Sequence, residues 1–156
     1  MTSDSIREIY DFTGRTVVLT GGTGVLGSEM ARSLAWCNAN IVLLARNVAR
    51  AEQLLLSFAG SKGRHRALTA DVLNRTSVEE AGAIVRAEYG RVDCLVNGAG
   101  GNDPKATTNP EHRFFDIPAE AFQHVVNLNL LGTVIPTQVF GKFMADQKAG
   151  TILNVR

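Results

Sequence analysis

A glycine-rich turn between a short apolar segment and an amphipathic one constrains the fold of this chain more than any other feature. Residues 20–27 read TGGTGVLG and directly follow the apolar run TVVLT. Glycines allow a sharp turn and close approach of a ligand, and the helix that follows presents free N–H groups and a positive dipole end. The alternative is a tight strand-to-helix turn that binds nothing. We favour a pyrophosphate-binding turn, and its predicted contacts are Gly21, Thr23, Gly24, Val25, Leu26 and Gly27.

Strand-like and helix-like apolar segments alternate along the rest of the chain. The predicted strands are 16–20, 41–45, 65–70, 93–97 and 151–155, and the predicted helices are 25–37, 49–58, 78–89 and 118–148. This alternation is typical of βα units and predicts an α/β, Rossmann-like, doubly wound parallel sheet of about five strands. Residues 1–156 are expected to form one domain.

Three local details refine this prediction. Leu26, Met30 and Leu34 share one face of the first helix and are expected to pack on the sheet. Asn38 follows that helix, where a left-handed residue is needed to end it. Pro136 lies inside the last helix without an N–H to donate, which predicts a kink between residues 129 and 136.

The segment 98–118 exceeds the usual loop length and contains three prolines. It is predicted to project from the carboxyl end of the fourth strand, where open α/β sheets bind ligands. We therefore expect this loop to contact a substrate.

The composition excludes several other classes of protein. The chain has 45% hydrophobic residues, 16 basic and 15 acidic residues, and a net charge of +1, without a basic run. Neither nucleic acid nor a membrane surface is therefore an expected partner, and no apolar stretch reaches the 20 residues of a membrane span. A small-molecule substrate is expected. The N-terminal residues lack the apolar core of a secretory signal, which predicts a cytoplasmic location.

The cysteines indicate neither a disulfide framework nor a metal site. Cys37 and Cys94 lie 57 residues apart, away from any histidine cluster. Both are predicted to be buried thiols.

The end of the second strand bears on the choice of dinucleotide. An NAD site normally has an acidic residue about 20 residues beyond the glycine motif, where this chain has Ala45, Arg46 and Asn47. The guanidinium of Arg46 can pair with a 2′-phosphate, and a carboxylate that would repel the phosphate is missing. The sequence favours NADP over NAD, although an arginine at a strand end is also commonly a solvated residue.

From residue 12 to residue 156, the ordered motifs resemble the short-chain dehydrogenase/reductase family. Besides the TGxxGxxG turn, Asp71 and Val72 resemble the family's adenine-contacting segment. Residues 97–100, NGAG, resemble its NNAG motif with one substitution, and residues 129–132 resemble its catalytic-asparagine segment. The resemblance implies hydride transfer on a nicotinamide cofactor, with Asn129 as a catalytic residue.

Each of these residues also has a physical role of its own. Asp71 can accept a hydrogen bond from an exocyclic amine, and Asn97 can tie neighbouring strands through its amide. Around Ala99, Gly98 and Gly100 let the backbone approach a cofactor ring. A buried Asn129 amide at a helix kink can hold a water molecule or a lone carbonyl.

The loop also resembles one branch of that family. Residues 98–108 and 132–140 are similar to D-mannonate oxidoreductases, also called fructuronate reductases. This similarity implies a sugar acid or related polyol as substrate, whose carboxylate Lys105, His112 or Arg113 can meet. The alternative is that these charged loop residues are only solvated.

The family's Tyr-x-x-x-Lys pair is absent, because Gly14 stands four residues after Tyr10 and Asp93 four after Tyr89. Residues 152–155 resemble the strand that leads to the family's catalytic serine. We therefore expect the N-terminal portion of a family domain, incomplete at its C-terminus, whose last strand forms a sheet edge and exposes apolar side chains that favour aggregation. Full-length members are expected to be homo-oligomers through the helix around Asn129, an interface altered or absent here.

Two other functions remain open at this point. A chain without the serine, tyrosine and lysine fits a non-catalytic dinucleotide-binding remnant, which would bind cofactor without turnover. An epimerase of the extended branch shares the TGxxGxxG spacing, but it matches residues 97–100 less well and needs a sugar-nucleotide domain.

Overall fold

A five-stranded parallel sheet forms the centre of the computed structural model, which describes residues 9–155. The strands are β1 (Thr16–Thr20), β2 (Asn40–Ala45), β3 (His65–Thr69), β4 (Cys94–Asn97) and β5 (Thr151–Asn154). The helices are α1 (Val25–Trp36), α2 (Val48–Leu56), α3 (Arg75–Tyr89), α4 (Ala119–Val126) and α5 (Gly132–Asp146). A π-helical segment, Asn127–Leu131, joins α4 to α5, and short 3₁₀ turns cover Pro104–Ala106 and Phe114–Asp116.

The strand order is β3-β2-β1-β4-β5, and every pair is parallel. The chain moves outward from β1 to β3 and then crosses back to place β4 on the other side of β1. This reversal is the topological switch point of a doubly wound sheet, and it opens a crevice between the carboxyl ends of β1 and β4. The predicted fold class is confirmed.

Helices cover both faces of the sheet because successive strand residues point in opposite directions. On one face, Val18 and Leu95 pack with Val78 and Val85 of α3 and with Phe140 of α5. On the other face, the side chains that meet are Val17, Leu19, Ile41 and Leu43 of the strands, Ala31 and Ala35 of α1, and Ala51 and Leu54 of α2. The packing of helices on both faces of the sheet fixes the positions of the strand ends that carry the site.

Side-chain caps and left-handed residues set several of the helix ends. The carboxamides of Asn47 and Asn74 accept hydrogen bonds from backbone N–H groups in the first turns of α2 and α3. These caps explain why α2 begins one residue and α3 three residues before the predicted starts. Asn38 has φ +68°, so its predicted left-handed conformation after α1 is confirmed.

The predicted inward face of α1 is partly wrong. Ala31 and Ala35 are fully buried against the sheet, and Met30 and Leu34 pack beside them. Leu26 is 66% exposed. Leu26 lies in the first turn of α1, beyond the ends of the strands, so it has no strand beneath it to pack against.

The predicted long helix over residues 118–148 is interrupted. The π-helical segment Asn127–Leu131 separates α4 from α5, and Pro136 lies within α5. Since Pro136 has no N–H and π turns widen the helix, the interruption falls in the region where a kink was predicted.

The last strand and the second cysteine differ in exposure from the rest of the sheet. β5 is an edge strand, and its apolar side chains Ile152 and Leu153 are 38% and 46% exposed, which confirms the predicted exposure. Cys37 is buried, whereas Cys94 is only half-buried, so the prediction for Cys94 is wrong. Cys94 is the first residue of β4, next to the edge strand β5.

Residues 9–155 contain neither a membrane-spanning helix nor a metal-ligand cluster. Within them no helix is long and apolar enough to cross a bilayer. The same part of the chain contains no cluster of three or more histidine, cysteine or acidic side chains able to hold a metal ion.

The half-buried, titratable side chain of His65 lies at the start of an edge strand of the sheet. His65 begins β3, meets the Phe58 ring edge-on and lies with its Nε2 atom 2.5 Å from Ser61 Oγ. Its Nδ1 atom is buried and has no hydrogen-bond partner in the described structure. Burial lowers the pKa of His65 below its usual value of 6.5.

The first prediction concerns the pH dependence of stability. Because the unfolded chain takes up a proton on His65 at a higher pH than the folded chain does, the free energy of unfolding should fall as the pH drops below about 6.5. His65→Gln should reduce this slope in urea unfolding measured at a series of pH values. His124→Gln, which changes an exposed histidine, should keep the original slope. An unchanged slope in His65→Gln contradicts the prediction.

Candidate cofactor site

Two loops meet at the crevice between β1 and β4, and glycines permit their contact. Gly21 has φ +67°, and a Cβ atom placed on it would lie 2.2 Å from the carbonyl oxygen of Gly98. A Cβ on Gly27 would lie 2.4 Å from the oxygen of Gly21. No side chain fits at either position, so the turn packs directly on the loop after β4 and on the start of α1.

The hydroxyl of Thr20 joins the same two loops. Its Oγ1 atom accepts hydrogen bonds from the N–H groups of Gly98 (3.2 Å) and Ala99 (3.1 Å), and its carbonyl accepts a third from Gly98 (3.1 Å). Thr20 is only 1% exposed. The sequence prediction did not assign this residue, although a threonine as the last residue of a strand before a glycine turn is a signal that could have identified it.

The start of α1 is suited to an anion. Gly24 caps the helix without a side-chain hydrogen bond, and the first turn carries no acidic residue. The first N–H groups of α1 therefore have no acceptor within the helix and point out of its N-terminal end. Val25 and Leu26 are 86% and 66% exposed at this end, and Thr23 is half-buried. These N–H groups lie beside the turn at Gly21, where a Cβ atom has no room. Together, the N–H groups and the turn fit a pyrophosphate.

Two further predicted cofactor contacts, Arg46 and Asp71, follow the carboxyl ends of β2 and β3. Arg46 is exposed and makes neither a hydrogen bond nor an ion pair with other residues of the 9–155 range. Asp71 accepts a hydrogen bond at Oδ1 from the N–H of Leu73 (2.9 Å), and Val72 is buried. The carboxylate of Asp71 thus shapes a turn and keeps its second oxygen for another donor.

Asn97 lies inside the protein, at the end of β4. Its Nδ2 atom donates to Thr137 Oγ1 on α5 and to Asn154 Oδ1 on β5, both at 2.9 Å. Only 1% of the residue is exposed. The side chain ties β4 to its neighbours, and the backbone carbonyl accepts a hydrogen bond from the N–H of Val155 (2.9 Å), so Asn97 offers almost no surface to a ligand in the crevice.

Asn129 connects the π-helical segment to the loop after β4. Its Nδ2 atom donates to the carbonyls of Gly101 and Val125, both at 2.8 Å, and its Oδ1 atom accepts from the N–H of Gly101 at 3.3 Å. A Cβ atom on Gly100 would lie 2.7 Å from that Oδ1. Asn129 is half-buried rather than buried as predicted, because its turn lies at the rim of the crevice.

The long loop engages two of its three predicted substrate-contacting residues internally. His112 directs its ring nitrogens at the carbonyls of Thr107 and Asp116, and Arg113 forms an ion pair with Asp116 at 2.9 Å. Lys105 is exposed on the first 3₁₀ turn, and its ammonium forms no ion pair within the described part of the chain. Of the three, Lys105 is the side chain that another charged group can reach without breaking a contact.

The family follows from comparison with known proteins. The family model described as short chain dehydrogenase matches residues 15–156. The chain belongs to this family.

Relatives with the same architecture are considerably longer. An uncharacterized oxidoreductase of Haemophilus influenzae is 35% identical over 97% of this chain and 56% of its own length. D-threitol dehydrogenase of Mycolicibacterium smegmatis is 32% identical over 94% of this chain and 54% of its own. A crystal structure from Haemophilus influenza, assigned as a D-mannonate oxidoreductase with bound NAD, has 34% identity and a TM-score of 0.87 over 96% of this chain and 57% of its own. The chain therefore spans little more than half the length of these relatives.

The second prediction concerns the contact between the two loops. Gly21→Ala should lower the free energy of unfolding by roughly 1–2 kcal/mol for the left-handed backbone and by a further 1–3 kcal/mol for the clash with Gly98. Gly14→Ala is a matched control, because Gly14 has φ +77° and nothing within 4 Å of its added Cβ. It should show only the smaller loss in urea unfolding. Equal losses in the two variants contradict a tight contact.

The third prediction concerns Asn129. Asn129→Ala removes three side-chain hydrogen bonds, and the Gly101 amide should exchange with solvent about tenfold faster or more. Asn127→Ala is the control, since the Asn127 side chain makes no hydrogen bond in the described structure. Hydrogen exchange followed by NMR measures both. An unchanged exchange rate at Gly101 in Asn129→Ala would show that the Asn129 side chain does not hold this loop.

Proposed function

We propose that this chain supplies the dinucleotide-binding part of an NAD(P)-dependent oxidoreductase that acts on a carbonyl or hydroxyl group of a sugar acid such as fructuronate or mannonate. The observation that carries the proposal is the side-chain-free contact of Gly21 with Gly98 beside the open end of α1. A bound nicotinamide dinucleotide would accept or supply the hydride.

The residues of the chain have distinct tasks in this proposal. The N–H groups of Val25 and Leu26 bind the pyrophosphate at the helix end, where the dipole favours negative charge, and the N–H of Gly24 holds the turn by donating to the Gly21 carbonyl (3.0 Å). Asp71 accepts a hydrogen bond from the adenine amine with the oxygen that the Leu73 turn leaves available. The exposed side chains of Val25 and Leu26 exclude water from one side of the bound cofactor.

The loop after β4 forms the other side of the crevice. Gly98, Ala99 and Gly100 let the backbone approach the nicotinamide end, and Thr20 and Asn129 hold this loop in place. Asn129, which the family resemblance implies is catalytic, is assigned a positioning role, because the loop that it holds borders the space where substrate meets cofactor. Its Nδ2 hydrogens are committed to Gly101 and Val125, so its side chain orients the loop and transfers no proton itself.

NADP is the preferred cofactor in this proposal. Arg46 is exposed at the end of β2, and the neighbouring cap residue Asn47 adds no negative charge. A free guanidinium binds a 2′-phosphate strongly, since charge-assisted hydrogen bonds are about twice as strong as neutral ones. NAD remains the alternative, and the Haemophilus structure contains NAD.

The relatives and the loop support the proposed substrate class. One relative is assigned as a D-mannonate oxidoreductase and another is named D-threitol dehydrogenase, so both names refer to polyhydroxylated molecules. Lys105 is the exposed, unpaired cation on the loop that projects from β4. We assign it to the carboxylate of a sugar acid.

A second candidate function is cofactor binding without turnover. The sequence contains two tyrosines, neither of which is followed by a lysine four residues later. A carbonyl reduction of the family type needs that pair as its general acid. This observation favours a dinucleotide-binding role for the 156 residues alone.

One pair of measurements separates the two candidates. Calorimetric titration of the chain with NADP+ and NAD+ tests binding, and oxidation of NADPH or NADH in the presence of fructuronate tests turnover. Binding together with turnover supports the oxidoreductase, and binding alone supports the second candidate. If neither dinucleotide binds at millimolar concentration, both proposals are wrong.

The fourth prediction concerns cofactor preference. Arg46→Ala should weaken NADP+ binding by about tenfold or more and leave NAD+ binding unchanged, because only NADP+ carries the 2′-phosphate. Arg86→Ala is a control. Arg86 lies in the last turn of α3, near the amino ends of the strands and away from the crevice, so its replacement should alter neither affinity. Equal loss of both affinities in Arg46→Ala contradicts the assignment.

A further inference from the structure

The imidazole of His112 lies between two backbone carbonyls of the long loop. Its Nδ1 atom is 3.2 Å from the oxygen of Thr107, and its Nε2 atom is 3.3 Å from the oxygen of Asp116. Both oxygens are acceptors only. A neutral imidazole has one N–H and one lone pair, so it satisfies one carbonyl and directs its lone pair at the other. Only the protonated ring donates to both.

The two carbonyls belong to different halves of the loop. Thr107 is fixed to the first half, because its hydroxyl donates to the Asp103 carbonyl (3.0 Å) and accepts from the Asn102 amide (2.8 Å). Asp116 belongs to the second half and forms the ion pair with Arg113. The ring of His112 therefore joins the turn that carries Lys105 to the turn that carries Arg113.

We propose that protonated His112 is a clasp that closes the loop, fixing the positions of Lys105 and Arg113 relative to each other. The sequence alone assigned His112 to substrate contact, whereas the geometry makes it a positioning residue. Its importance for a sugar-acid substrate rests on the proposed function. The closure of the loop itself depends on no ligand.

The charged groups around the clasp do not replace its contacts. Those within the loop and on the start of α4, which packs against it, are Asp103, Lys105, Glu111, Arg113, Asp116 and Glu120. Arg113 and Asp116 are paired with each other, and the Asp103 carboxylate accepts from the N–H of Lys105. Among the described residues, the ring nitrogens of His112 bond only to the two carbonyls.

Amide hydrogen exchange of the intact chain at one mildly acidic pH tests the clasp. Protection of the amides in residues 107–117 should be about tenfold lower in His112→Gln than in the original chain, because the variant loses the ring that bridges the two carbonyls. The exposed control His124→Gln should keep the original protection. Equal protection in His112→Gln and the original chain overturns the proposal.

A spectroscopic measurement on the unchanged chain gives an independent readout. In ¹⁵N NMR spectra at the same pH, both ring nitrogens of His112 should carry slowly exchanging protons, as expected for two hydrogen-bonded N–H groups. Rapidly exchanging ring protons at that pH contradict the clasp. Because neither experiment uses cofactor or substrate, failure of the clasp is distinguishable from failure of the proposed function.

Discussion

The contact between the backbones of Gly21 and Gly98 is the constraint on which the rest of the site depends. It brings the turn after β1 against the loop after β4, two segments 77 residues apart in sequence, with no space for a Cβ atom between them. Because the sheet reverses direction between these strands, the contact lies at the switch point where open α/β sheets bind ligands. The open helix end of α1 lies directly beside it.

Around this contact, polar side chains are used to hold backbone in place. Thr20 holds the first residues of the loop after β4, and Asn129 holds Gly101 a little further along. Asn97 secures the end of β4 to α5 and β5 from within the protein. These bonds fix backbone positions before any ligand arrives, so binding need not order the loop and its entropic cost is reduced.

Much of this architecture could be predicted from the sequence, because periodicity and turn chemistry are local. All five strands fall within one residue of the predicted bounds at either end, and the left-handed Asn38 was expected. Contacts between distant segments could not be predicted in this way: the bonds of Thr20 to the loop after β4 depend on strand order. The internal bonds of His112 and Arg113 depend on turn conformations that a polar loop sequence leaves open, and Leu26 proved exposed because it lies beyond the sheet.

The central claim is that the crevice between β1 and β4 binds a nicotinamide dinucleotide. Mapping backbone amide shifts by NMR during titration with NADP+ tests it most directly. The account predicts that the largest changes occur at residues 21–27 and 98–101, with smaller ones at Arg46 and Asp71. Shifts concentrated instead along Phe114, Phe122 and Val126, which line an apolar cavity of about 660 Å³ beside α4, would contradict it, as would no shifts at millimolar concentration.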